Sequence, residues 1–206
     1  MFFKLSVLKH MLKDAYKSSG LTVGHMAESD TGEPEGYYAA SGWWVVWFNR
    51  DNMPKEVKAA LVELCGDLPE IGEVFKAMKD MGNQYEIEQK DIYNLPRTFK
   101  KCECRFRVTR LLRQQAFDLI RFLQDEKEIQ FIKAVSETCI SLIDLSAVDQ
   151  DNGEDMPVGP VTIDPSADFV YWGNNTCYFM VGTRKPIMDD EEETNLWHHF
   201  ARVRIK

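Results

Sequence analysis

Apolar positions first fall into helical spacing at the amino end, where Val7, Leu8, Met11, Leu12 and Ala15 share one face and Lys9, Lys13 and Lys17 lie opposite. Ser6 is placed to cap this helix and Gly20 to end it. A short strand and a polar loop follow over residues 22–36. The run "YYAASGWWVVWF" (37–48) is aromatic and β-branched with Ser41-Gly42 at its middle, so it reads as a hairpin or as two strand segments joined by a tight bend. The pattern returns to helix over residues 52–66. Asn49 or Asn52 is the cap, Pro54 sits in the first turn, Val57, Ala60, Leu61 and Leu64 form the stripe, and Gly66 is the stop.

Residues 72–81 alternate as a strand, and a polar run leads to Pro96. In "CECRFRVTRLL" the alternation sends Cys104, Phe106 and Val108 one way and Arg105, Arg107 and Thr109 the other. Periodicity leaves residues 116–124 open between strand and helix. Residues 132–145 read as a helix with Val135, Cys139, Leu142 and Ile143 inward. A loop over 149–165 and three strands, "FVYWG", "CYFMVG" and "FARVRIK", complete the chain. The element order predicts an α+β fold of mixed, mostly antiparallel sheets with helices. It suggests two similar halves, 1–90 and 91–206, with one continuous domain as the alternative.

Composition narrows the class. With 206 residues, 44% hydrophobic and 28% charged, the chain can bury a core. The apolar positions at the start are interrupted by Lys4, Lys9, Lys13 and Asp14, so no leader segment is expected, nor any membrane span. Five cysteines, an odd number, fit reduced thiols in a cytosol.

The net charge of −8 argues against a general nucleic-acid coat and suits a basic partner. It is unevenly laid out: residues 97–121 carry eight basic side chains against two acidic ones, whereas residues 144–193 carry twelve acidic against two basic. The two blocks either neutralise each other across the fold or serve partners. In the second case, Arg105 and Arg107 would offer a phosphate-binding stripe and DNA contact through residues 97–121. The acids Asp189, Asp190, Glu191, Glu192 and Glu193 form either a solvated loop, an acidic contact surface for a basic partner, or a metal site. Cys102 and Cys104 with His198 and His199 are the candidate zinc ligands, but a one-residue gap between cysteines is not zinc spacing, so no metal and no cofactor are expected. "DQDNGED" (149–155) fails the calcium-loop pattern. Glu70, Glu73, Asp164 and Asp168 are candidates for acid–base pairs that spacing alone does not establish, and no nucleophile or phosphate-loop motif accompanies them, so the chain is not expected to be an enzyme. On the 43–48 strand, Trp44 and Phe48 share a face and would be interface anchors unless the sheet is covered on both sides.

Two resemblances add to this. "MFFKLSVLKHMLKDAYKSSGLTVG", "MPKEVKAALVEL" and "LPEIGEVFKAMKD" resemble accessory proteins carried by phages and mobile elements of Gram-positive bacteria. That implies replication, transfer or anti-defence roles, including inhibition of CRISPR effectors. The element order of the second half, ending "FARVRIK", is similar to a domain of bacterial DNA-polymerase sliding clamps, although Arg202 to Ile205 follow Ala201 here without the Met-Pro of those clamps. The expected function is therefore a non-catalytic accessory protein that binds a protein partner, a basic nucleic-acid-handling complex such as a CRISPR effector. The rival is a clamp-like, DNA-associated replication or transfer factor.

Overall fold

The computed structural model describes residues 2–85, 87–115, 117–144, 158–184, 195 and 198–205. Helix α1 (Leu5–Lys17) buries Leu8, Met11, Leu12 and Ala15 and leaves Lys9, Lys13 and Lys17 exposed, as its spacing requires. Ser6 is not its cap. The capping position is Lys4, without a side-chain bond, because the chain enters the helix already tied: Lys4 N–H donates to Leu142 O at 2.8 Å and Phe3 bridges Ile143. At the other end Gly20 takes φ +91° and its N–H donates to Ala15 O at 2.8 Å, which turns the chain into β1 (Leu21–Met26). Helix α2 (Lys55–Cys65) starts after Pro54 and stops at Gly66, φ +84°. Asn49 caps the short 3₁₀ turn ahead of it (Arg50–Asn52), where its side chain accepts from Asp51 N–H.

Among the described residues eleven strands form one sheet, and every pairing between them is antiparallel. With β1 they are β2 (Gly36–Ser41), β3 (Trp44–Asn49), β4 (Val74–Met78), β5 (Gly82–Gln84), β6 (Cys104–Gln115), β7 (Asp118–Asp125), β8 (Ile132–Ser136), β9 (Val158–Thr162), β10 (Phe169–Gly173) and β11 (Cys177–Gly182). Their order is β5-β4-β1-β2-β3-β11-β10-β9-β6-β7-β8. The protein is thus a mixed α+β fold. Strands of residues 1–90 fill one side of the sheet and strands of 91–206 the other, joined where Trp44 to Phe48 pair with Val181 to Cys177. β6 turns the corner. Cys104 and Arg105 pair with β9, and Phe106 onward pairs with β7. Past β11, Arg184 N–H donates to Ala134 O of β8 at 2.7 Å, so the strands from β11 round to β8 curl back to an isolated bridge at these two residues.

The central strands are covered on both faces, which is why their sequence is apolar without interruption. Val46, Phe48, Phe179 and Val181 face α1 and α2, while Val45, Trp47, Tyr171 and Met180 face Leu95 and Phe99 of the short helix α3 (Leu95–Phe99) and its flanks. The larger core draws Phe3 and Leu12 from one half and Phe106, Leu123 and Ile143 from the other. Phe3 meets Phe48 edge-on at 5.5 Å and Phe179 at 6.2 Å.

Three local expectations fail for tertiary reasons. Residues 132–145 are not one helix: β8 pairs with β7, and among the described residues of the range only Glu137–Ser141 (α4) is helical. The expected inward residues Val135, Cys139, Leu142 and Ile143 are all buried, but β-branched Ile132 and Val135 reach the core through a ladder instead of a helix face. Of residues 116–124, left open by periodicity, 118–124 are settled as strand by that same ladder, and Phe117 lies in the turn before it. β6 does not alternate strictly. Its register shifts between Val108 and Leu112, so Thr109 turns inward and its hydroxyl donates to Phe122 O at 2.8 Å. "FARVRIK" is not a strand. His198 to Phe200 form a helical turn, and the described backbone after it bonds to the side chains of Gln124 of β7 and Arg107 of β6.

Candidate binding cleft

The β2–β3 hairpin decides which aromatics meet solvent. Ser41 pairs with Trp44 across a two-residue turn in which Gly42 takes φ +47°. Phe48 is 1% exposed in the main core, and Trp44 packs against that core half-buried. The helices α1 and α2 cover their face, which withdraws Phe48 from solvent and leaves Trp44 only partly exposed. Trp43 instead sits in the turn, 57% exposed. Its indole lies under Arg184, whose guanidinium carbon is 4.7 Å from the ring centroid.

Arg184 Nη2 also donates to Asp118 Oδ2 at 3.1 Å, and Asp118 Oδ1 accepts from Ser136 Oγ at 3.0 Å. Thr183 N–H donates to the Asp168 carbonyl at 2.7 Å, and Gly182 N–H to the Trp43 carbonyl at 2.7 Å. These bonds bring three turns together: β2–β3, β6–β7 and the start of β10. Between them opens a cleft of about 780 Å³ whose side chains are chiefly Trp43, Phe117, Ile120, Phe169, Asp118 and Asp168. Phe117, at the β6–β7 turn, is fully exposed. An apolar hollow with a few convergent charges is the form ligand sites take. Sequence reading missed Trp43 and Phe117. The one available signal was position, since Trp43 follows Gly42 and Phe117 precedes Asp118 at the tip of what became a hairpin.

Part of the basic stretch is tied within the molecule, while Arg97, Lys100, Lys101, Arg105 and Arg110 are exposed. Arg121 makes a bidentate pair with Glu137 at 2.8 and 2.6 Å, and Lys100 meets Glu33 at 3.1 Å. Arg107 donates to Gln124 Oε1 at 3.0 Å and to the Ile205 carbonyl, so it anchors the chain end. Arg105 is more than half exposed, 3.9 Å from Glu126. The two arginines therefore do not form a joint stripe of open cations.

Cys102 Sγ donates to Thr98 O at 3.7 Å, and burial pushes its thiol up to about 12. Burial also raises Cys104. None of the five cysteines forms a disulfide. Among the described residues no three His, Cys, Asp or Glu side chains converge as metal ligands. Glu70 and Glu73 lie before β4, with β1, β2, β3 and β11 between that strand and β10, where Asp168 leads in, so the candidate carboxylates from the two regions do not meet. Asp189 to Glu193 and residues 149–155 lie outside the described residues.

Two further polar groups are built into the N-terminal loops. Glu33 accepts from Ser29 Oγ at 2.5 Å, from Thr31 and from Lys100 at 3.1 Å. These bonds hold its carboxyl down at about 2, against burial. His25 Nε2 is 2.8 Å from Glu35, which also accepts from Arg50 at 3.1 Å, and Tyr37 stacks on the imidazole at 3.9 Å. Burial raises the Glu35 carboxyl, but the bonds from His25 and Arg50 outweigh it and leave it lowered.

No family model, no curated protein and no solved structure matches the chain. No described helix is long and apolar enough to cross a membrane.

Proposed function

We propose that this protein works by binding a protein partner, without catalysis, as an accessory factor of a phage or mobile element that inhibits a basic, nucleic-acid-handling complex such as a CRISPR effector. The observation carrying the binding reading is the cleft between two hairpin tips with Trp43 and Phe117 exposed at its mouth. Large aromatics standing in solvent beside a hollow are the usual anchors of interfaces. The net charge of −8 supports a basic partner, and the resemblance of the N-terminal segments supports the phage or mobile-element setting. The acidic run Asp189 to Glu193, which begins five residues after Arg184 in the chain, would extend the contact.

Affinity capture from a host lysate, followed by mass spectrometry, tests the reading. Wild-type protein should retain a basic nucleic-acid-binding complex, and a Trp43→Ala/Phe117→Ala double variant should lose it. Equal capture by both would refute the assignment to this cleft. Direct, steeply salt-dependent binding of DNA by the protein alone would instead favour the clamp-like rival.

A further inference from the structure

We infer that a second cavity takes a small phosphate monoester joined to a planar ring, the chemistry of a nucleoside 5′-monophosphate. The inference goes beyond the protein-binding reading above and concerns a different hollow. This cavity measures about 430 Å³ and lies on the sheet face that α3 and its flanks cover. Lys76, Thr22, Ala40, Val45 and Met180 pair directly across β4, β1, β2, β3 and β11, so the antiparallel register sets them in one row on that face. The row is low where it crosses Ala40, and Gly20 and Gly42 in the same lining add no side chain. Lys76 uses that space: a Cβ on Gly20 would collide with its Cε, so the lysine stem lies across the bare glycine. Lys90 and Tyr93, from the 3₁₀ turn ahead of α3, and Phe169, at the start of β10, complete the walls.

The charge of the lining decides the ligand. Half-buried Lys76 and exposed Lys90 are its two charged side chains, and none of the lining residues is acidic. Asp91, in the same turn as Tyr93, is exposed and outside the lining. Among the described residues neither lysine forms an ion pair, and the Thr22 and Tyr93 hydroxyls have no hydrogen-bond partner. In a chain of net charge −8 this hollow is locally cationic, so it collects an anion. A phosphate monoester brings nearly two negative charges and three acceptor oxygens to the two lysines, whereas a carboxylate brings one charge. The Tyr93 and Phe169 rings with Val45 and Met180 suit the planar body of a base, and Tyr93 is itself held by its stack on Tyr38 at 4.7 Å. The volume falls within the range of small-ligand sites, which favours a single nucleotide over a strand.

The test is isothermal titration calorimetry of the full chain with AMP and UMP, beside adenosine, uridine and inorganic phosphate. At least one monophosphate should bind with Kd below about 1 mM, and about tenfold more tightly than its nucleoside or inorganic phosphate. Lys76→Gln and Lys90→Gln should each weaken that binding roughly fivefold, while Lys55→Gln, on the helix over the other sheet face, leaves it unchanged. An unchanged melting temperature checks that the variants fold. Lys90 is exposed, so its variant decides the matter alone if Lys76→Gln is unstable. The inference is overturned if neither monophosphate binds below about 1 mM, or if nucleoside or inorganic phosphate binds as tightly as the monophosphate. Unchanged binding in the lysine variants would overturn it as well. So would a short 5′-phosphorylated DNA strand that binds more tightly than the monophosphates and depends on Lys90, since the site would then belong to a nucleic-acid end.

Discussion

Glu33 shows how one side chain ties distant parts of the chain and makes stability depend on pH. It is 5% exposed, with donors from its own loop and from Lys100 across the second half. An unfolded glutamate titrates near 4.5, and this one is held at about 2. Because the folded value is the lower one, its stabilisation is complete above about 4.5 and is lost as the pH falls toward 2. Urea unfolding followed between pH 7 and pH 2 should therefore show a declining midpoint in the acid range. Glu33→Gln should lower the midpoint at pH 7 and flatten that acid decline. Trp43 predicts the opposite kind of result. Trp43→Ala removes only an exposed ring and its contact with Arg184, worth about 0.5–1 kcal/mol, so thermal unfolding should move by a few degrees at most.

At the scale of elements, β7 holds the chain end through a single amide. Gln124 is 0% exposed; its Nε2 donates to Ile129 O at 2.9 Å and Val203 O at 2.7 Å, and its Oε1 accepts from Ile205 N–H at 2.9 Å. Gln124→Leu keeps the volume but leaves those backbone groups without this partner, at about 1–3 kcal/mol. Hydrogen exchange at Ile205 should accelerate markedly in that variant, with β1 to β4 unaffected. Unchanged protection at Ile205 would show that the side chain does not hold the tail. The Thr109 bulge belongs to the same scale. It interrupts the β6–β7 ladder after Phe106 to Val108 have paired with β7, and the pairing resumes at Leu112 on the way to the β6–β7 tip with Phe117.

Across the whole molecule, the two sides of the sheet share one core. Phe3 comes from the first four residues yet packs between Phe48 and Phe179, and its backbone bridges Ile143. Phe3→Ala should cost about 3–5 kcal/mol, the usual range for a buried phenylalanine. Near-UV and far-UV circular dichroism should report a single unfolding transition in wild type and variant alike, because neither half keeps its core without the other. Two separated transitions would show that the halves are energetically independent.

The local chemistry of the sequence determined α1, α2 and the β2–β3 hairpin. Leu8, Met11, Leu12 and Ala15 sit at helical spacing, Gly66 adopts the positive φ that ends α2, and Gly42 does the same in the tight turn; these signals act within a few residues of where they are read. The antiparallel α+β class followed from short connections between apolar runs. Tertiary structure decided the rest. β8 is a strand because β7 supplies its ladder, and Phe48 is core because two helices cover it. Arg107 is an anchor because Gln124 and the chain end meet it. The cleft joins Trp43, Phe117, Asp168 and Arg184 across more than 140 residues of sequence, so no local pattern could signal it. Pairing between distant strands outweighs local preference where both faces are buried, and together with the helices packed on the sheet it sets which aromatics remain in water.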